Sequence, residues 1–284
     1  MSGISWNAFL RQAQQQLTGA GIEDAKEEAR WLVRLIGKVS SSDLILRGDN
    51  HISSATLETL QQALQRRLTR EPLQHIMGET EFYGLTLTSD KRALIPRPDS
   101  ECVVDLALEK IPSDAPYKLA DLGAGSGALL IALLKQREGA TGIAVERSEA
   151  ANNLITENLE RHALTDRAMQ FMGSWSEWKG WGDCDLIISN PPYIESAVIP
   201  TLTAEVRDHD PLEALDGGED GLNAYSEIIS IARKTMKRGA RLVLEIGYDQ
   251  RETVSELLIR NGFDHLEHRK DLGGLDRAIA AQQP

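Results

Sequence analysis

The stretch Lys118-Leu119-Ala120-Asp121-Leu122-Gly123-Ala124-Gly125-Ser126-Gly127-Ala128 decides the fold. An apolar run short enough for a strand closes on Asp121. Three alternate glycines then allow a tight turn in which backbone can approach a ligand where a Cβ would obstruct it, and helical spacing resumes from Ala128 to Arg137. The second strand of the series, Gly142 to Val145, is followed by Glu146, 23 positions beyond Gly123, where a carboxylate can accept both hydroxyls of a ribose. Glycine turn and spaced acid together predict a nucleotide-type ligand at the carboxyl ends of the strands. The segment Gly123 to Ala128 also satisfies the loose dinucleotide fingerprint, so a nicotinamide dehydrogenase competes at this point.

Outward from this turn, strand and helix alternate. Strands are predicted at 118–122, 142–145, 169–172, 185–189, 241–246, 263–268 and 277–281, with helices at 128–137, 149–162, 223–237 and 251–261. Such alternation predicts an α/β fold with a doubly wound, mostly parallel seven-stranded sheet and right-handed crossovers. Upstream, Phe9, Leu10, Ala13 and Leu17 follow helical spacing behind a Ser5 cap. Ala25, Ala29, Leu32, Leu35 and Ile36 repeat it, as do Leu57, Leu60, Leu64 and Leu68 behind Ser53 and Ser54. These runs predict a small helical bundle over 1–76. Residues 77–94, which include the alternating Glu81 to Leu87 with Gly84 near its turn, read as a linking hairpin, and 95–284 as the ligand-binding domain. Asp99 or Ser100 is placed to cap a helix carrying Val103, Val104, Leu106, Ala107 and Ile111.

Asn190-Pro191-Pro192-Tyr193, directly after the fourth strand, carries the chemistry. Two prolines fix φ and supply no N–H, so the backbone is stiff and its carbonyls stay free to accept. A planar NH2 conjugated to a carbonyl or ring is a poor nucleophile. Acceptors gripping both hydrogens would orient it with its lone pair facing an electrophile, a geometry that suits methyl transfer from a sulfonium. A dehydrogenase needs no such tetrapeptide. Gly173-Ser174-Trp175 follows the third strand, where the indole of Trp175 can lie against a purine, while Trp178 and Trp181 read as surface packing.

The chain has 284 residues and a net charge of −12, with −2 in residues 1–90 and −10 beyond. That balance works against stable nucleic-acid binding and favours a protein partner. Arg66, Arg67 and Arg70 form the only tight basic cluster and read as a solvated helix face. No apolar run approaches the roughly 18 residues needed to span a bilayer and no basic-then-apolar leader opens the chain, so the expected location is the cytoplasm and the chain is expected to be soluble. A monomer is expected as well. Cys102 and Cys184 read as buried, inert thiols, and the six histidines show no metal-ligand spacing, with His265 and His268 falling in a late strand. Tyr83 and Tyr225 read as packing residues, and Asp208-His209-Asp210 as an exposed charged loop.

The combined motifs resemble the protein-(glutamine-N5) methyltransferases that modify peptide chain release factors, the HemK or PrmC family. Besides the glycine turn and the tetrapeptide, the likeness rests on Pro72 to Glu79, Phe82-Tyr83-Gly84, Pro96 to Glu101, Ala214 to Leu222, Glu245-Ile246-Gly247 and Lys270 to Arg277, nearly the whole chain. The resemblance implies a Rossmann-like methyltransferase sheet. It implies S-adenosylmethionine as donor, with S-adenosylhomocysteine as product, held by Gly123, Ala124, Gly125, Ser126, Gly127, Glu146, Trp175 and Asn190. It further implies the glutamine of a Gly-Gly-Gln loop as acceptor, gripped by Asn190, Pro191, Pro192 and Tyr193, and a helical N-terminal domain that helps hold the release factor. Ala124 stands where the family commonly has Thr, Glu146 where Asp is usual, and Asp210 where Glu often precedes the proline. A ribosomal-protein glutamine methyltransferase and an adenine-N6 nucleic-acid methyltransferase, which share the tetrapeptide, are the alternatives.

Overall fold

The computed structural model describes residues 3–113 and 115–284, which divide into two compact units, Met1–Gly78 and Glu79–Pro284. The boundary falls inside the connector expected at 77–94.

The first unit is helical: α1 (Trp6–Gly19), α2 (Ala25–Trp31), α3 (Ser41–Arg47), α4 (Ser54–Leu68) and α5 (Leu73–Met77). The Ser5 and Ser53 hydroxyls accept from Ala8 N and Thr56 N, as caps should. Phe9, Ala13, Leu17, Leu32, Leu60 and Leu64 form the core. Leu35 departs from the expected stripe and is exposed, because α2 continues into a π turn at Leu32–Ile36 that shifts the phase of the side chains. The basic cluster is not a solvated face either. Arg67 is buried in a two-pronged pair with Glu28, at 2.5 and 3.1 Å, and Arg66 pairs with Glu71. Arg70, beyond the helix end at φ 68°, donates to Gly21 O at 3.0 Å.

The second unit opens with a hairpin of β1 (Glu79–Phe82) and β2 (Leu85–Thr88), turning at Tyr83-Gly84. Then come β3 (Tyr117–Leu122), β4 (Ala140–Glu146), β5 (Ala168–Met172), β6 (Leu186–Ser189), β7 (Ile194–Glu195), β8 (Asp216–Gly218), β9 (Arg241–Glu245), β10 (Asp264–Lys270) and β11 (Asp276–Gln282). The helices are α6 (Glu101–Leu108), α7 (Ala128–Gln136), α8 (Glu149–Arg161), α9 (Ala204–Arg207), α10 (Asn223–Thr235) and α11 (Arg251–Arg260). Seven strands form the sheet in the order β10-β11-β9-β6-β3-β4-β5, with β11 antiparallel to both neighbours and the rest of the order from β9 to β5 parallel. This is the expected doubly wound α/β architecture. Leu119, Leu186, Ile188 and Val243 face α6 and α7 on one side. Ala120, Leu122, Ile187, Leu242 and Leu244 face α10 and α11 on the other, the period-two alternation of a sheet covered on both faces. Asn158 of α8 anchors the hairpin through Thr88 N at 2.7 Å and Thr88 O at 3.2 Å.

Four expectations need correction. Trp178 and Trp181 are core residues, 6% and 1% exposed, with ring centroids 5.9 Å apart; Trp181 Nε1 reaches Trp175 O at 3.0 Å, so a loop aromatic is drawn inward by a backbone acceptor. Neither Asp99 nor Ser100 caps α6 with its side chain, because a 3-10 turn at Pro98–Ser100 leads directly into the helix. Asp210 is buried beneath Arg97 at 2.7 Å, whereas Asp208 is exposed as expected. The segment between β6 and α10, where no strand or helix is predicted, holds α9 and the short parallel pair β7–β8. Cys102 and Cys184 are buried and unpaired, and burial pushes both thiols up to about 12.

Candidate active site

The carboxyl ends of β3, β4 and β6 open into a cavity of about 380 Å³. Its floor is the glycine turn. Gly123, Gly125 and Gly127 have φ of 68°, 58° and 81°, values that L side chains rarely adopt. Gly123 N and Ala124 N both donate to Val145 O, at 2.8 and 3.2 Å, binding the turn to the end of β4. Glu146, 7% exposed, accepts Gly125 N on Oε2 at 2.9 Å and Ser148 N on Oε1 at 2.8 Å. A carboxylate has about four lone-pair sites, so two acceptor sites are left over for a ligand.

Asp121 lies at the bottom of the same cavity. Its Oδ2 accepts Leu130 N at 3.3 Å, while Oδ1 is buried with no hydrogen-bond partner. Burial pushes this carboxyl up to about 7, with the nearby Glu146 charge adding to the rise. An orphaned buried oxygen at the foot of a cleft is suited to a cationic ammonium group of a ligand. Trp175 stands beside the turn: a Cβ on Gly123 would lie 3.4 Å from its ring, and its Nε1 donates to Glu227 Oε2 at 2.7 Å.

Asn190, Pro191 and Pro192 line the cavity. Neither the Asn190 carboxamide nor the Pro191 carbonyl has a hydrogen-bond partner among the described residues. Tyr193, expected to wall in the acceptor, stands off the cavity, and its hydroxyl donates to Glu245 Oε1 at 3.3 Å. Gly127 is also off the lining; a Cβ there would meet Ile131 at 3.3 Å, so it serves the close packing of α7. Of the residues singled out by sequence, the structure thus brings Gly123, Ala124, Gly125, Ser126, Glu146, Trp175, Asn190, Pro191 and Pro192 to one cavity.

Several lining residues escaped the sequence reading: Arg147, Glu227, and Pro211 with Glu213 from the segment between β6 and α10. The Arg97–Asp210 pair holds that segment to the lead-in before α6, so that Pro96 and Pro211 both reach the cavity. Asp210 is raised to about 6 by burial, against the pull of Arg97. Tyr83 and Tyr225 pack as expected, each with a partner for its hydroxyl: Asp105 at 2.8 Å and Glu245 O at 2.9 Å. Among the described residues no group of His, Cys, Asp and Glu is placed to hold a metal ion, and no helix is long and apolar enough to cross a membrane.

Comparison with known proteins agrees with this geometry. Residues 8–78 match the family model described as PrmC N-terminal domain, and residues 103–206 that of the methyltransferase small domain. The release factor glutamine methyltransferase of Caulobacter vibrioides is 36% identical over 275 residues, covering 97% of this chain and 94% of the relative. That of Geobacter sulfurreducens is 38% identical over 266 residues, covering 94% and 92%. Among solved structures, a methyltransferase from Pyrococcus furiosus superposes with a TM-score of 0.52 at 14% identity, covering 81% of this chain and 99% of that one, a likeness of fold alone. With both units matched and the identity sustained end to end, the chain belongs to the release factor glutamine methyltransferase family.

Proposed function

We propose that this chain transfers a methyl group from S-adenosylmethionine to the side-chain amide nitrogen of the glutamine in the Gly-Gly-Gln loop of peptide chain release factors. The observation that carries this reading is a single cavity whose floor has the donors and acceptors a nucleoside sulfonium requires, and whose edge presents the unpartnered Asn190 carboxamide and Pro191 carbonyl.

The residues present fit the donor. Glu146 would take the ribose hydroxyls on its remaining lone pairs, Asp121 Oδ1 the ammonium, and Trp175 the purine, while the glycine turn admits the ligand to the backbone. When bound, S-adenosylmethionine supplies an electrophilic methyl group on a sulfonium. Everything else falls to the protein. An amide nitrogen shares its lone pair with its carbonyl, and no ordinary side-chain base removes its proton at neutral pH. Catalysis therefore rests on placement. Asn190 Oδ1 and Pro191 O accept the two amide hydrogens and Pro192 shields them; once alkylated the nitrogen is strongly acidic, and one of these hydrogens is given up to solvent as product leaves. Alignment of this kind is worth up to roughly 7 to 11 kcal/mol in favourable cases. The same two oxygens lie where positive charge develops on the nitrogen, which lowers the barrier further. The helical first unit would contribute to holding the release factor, in the cytoplasm where translation ends.

Incubation with labelled S-adenosylmethionine and, in separate reactions, release factor, ribosomal protein and DNA tests the assignment. Label is expected on the release factor alone; label on DNA alone would overturn it. Asn190→Ala should lose turnover severely while S-adenosylhomocysteine affinity is kept, and unchanged turnover would remove Asn190 from the mechanism.

A further inference from the structure

The acceptor-holding loop is secured by its last residue. The Tyr193 carbonyl accepts Gln250 Nε2 at 3.0 Å, and its hydroxyl donates to Glu245 Oε1 at 3.3 Å, long for a bond of this type. Glu245 ends β9, the strand beside β6, and is 2% exposed; its Oε2 is buried without a partner. Several groups face it: Asp99 and Ser100 from the turn before α6, Cys102 from α6, Tyr225 from α10 and Arg277 from β11. Arg277 is shared with Asp271 at 3.2 Å and Asp99 at 3.5 Å, so one guanidinium serves three carboxyl groups. A buried carboxyl so thinly partnered is a poor source of stability. Val243, two residues back on the same face of β9, is fully buried and aliphatic.

We infer that Glu245 is a positioning residue for the methyl acceptor, acting in its carboxylate form through the Tyr193 hydroxyl to set the angle at which Asn190 and Pro191 face the cavity. The inference rests on the proposed role of that loop. Burial pushes the Glu245 carboxyl up to about 7, opposed by Ser100, Arg277 and Tyr193 and reinforced by Asp99. The group therefore changes charge near neutrality, and the carboxylate is the stronger acceptor for a phenol.

Glu245→Gln, Tyr193→Phe and the double variant of the full chain, assayed on release factor between pH 6 and 9, test the idea. Each single variant should lower kcat by about 10-fold, the low end of the range for one hydrogen bond to a charged group, as the 3.3 Å separation implies. Calorimetric Kd for S-adenosylhomocysteine should not change. The double variant should be no slower than the slower single one, because both changes remove one interaction. Wild-type kcat should rise through about pH 7, and that rise should vanish in Glu245→Gln. Wild-type kcat in either variant, multiplying losses in the double variant, or an unaltered pH profile would each overturn the inference. If Glu245→Gln does not fold, Tyr193→Phe decides: it must reproduce the loss and flatten the same limb of the profile, and failure to do so is refutation. Wild-type protein inactive on release factor would instead sink the parent reading, and is measured first.

Discussion

Replacing Glu146 by Gln keeps the size of the side chain and changes only what it can accept. Both carboxylate oxygens already take a backbone donor, Gly125 N at 2.9 Å and Ser148 N at 2.8 Å. A carboxamide presents one oxygen and one NH2, so one of these backbone N–H groups must face another donor, and one of the two ligand hydroxyls proposed to dock here must lose its acceptor. The loss is at least one charge-assisted hydrogen bond, about 1.5 to 3 kcal/mol. At about 1.4 kcal/mol per factor of ten, Kd for S-adenosylhomocysteine should rise about 10- to 150-fold. Isothermal titration calorimetry reads this directly, and thermal unfolding without ligand checks that the turn still folds. A Kd within about threefold of wild type, in a variant of unchanged Tm, would show that Glu146 only braces the turn and does not meet the ligand.

Three further outcomes follow from the packing. Asp210 carries a native pKa of about 6 against its ordinary 3.8, so the folded chain holds that proton longer than the unfolded one. Its contribution is most favourable below pH 4 and is lost as pH rises to 6, by on the order of 3 kcal/mol; the stability of Asp210→Asn relative to wild type should climb across that window in denaturant titrations, and a flat difference refutes it. Gly127→Ala places a Cβ at φ 81° and 3.3 Å from Ile131, and should cost about 1 to 2 kcal/mol, read as a lower Tm, while S-adenosylhomocysteine affinity is kept because the residue is off the cavity. Glu28→Ala removes the two-pronged acceptor of the buried Arg67 guanidinium, which keeps Glu71 O at 3.3 Å, and should cost about 1.5 to 3 kcal/mol, with faster amide exchange in α2 and α4.

Much of the fold was legible because each signal was local. The apolar strands of β3, β6 and β9, the glycines at positive φ and the proline pair all announce themselves within ten residues. What escaped notice depends on partners far away in the chain. Arg67 sits among polar residues of α4, and its pairing with Glu28, 39 positions upstream, is what brings it into the core. Asp210 reads as one acid among several until Arg97, 113 positions away, covers it. Glu245 falls within the strand predicted at 241–246, but nothing local shows that this acid is as buried as the leucines before it. The β7–β8 pair offers too few residues for any period to register, and Trp178 and Trp181 lie in a stretch whose polarity hides the backbone acceptor that draws Trp181 inward.

Strand order in the large sheet places β4 and β5 on one side of β3, and β6 and β9 on the other. The proposed donor contacts at Asp121, the glycine turn, Glu146 and Trp175 all come from one contiguous stretch of about fifty residues, whereas the proposed acceptor contacts come from the chain that follows. Variation downstream of residue 185 that spares Asn190 and Glu227, which holds Trp175, can therefore change the molecule being methylated while keeping the methyl source, a division of labour that lets the two specificities diverge separately.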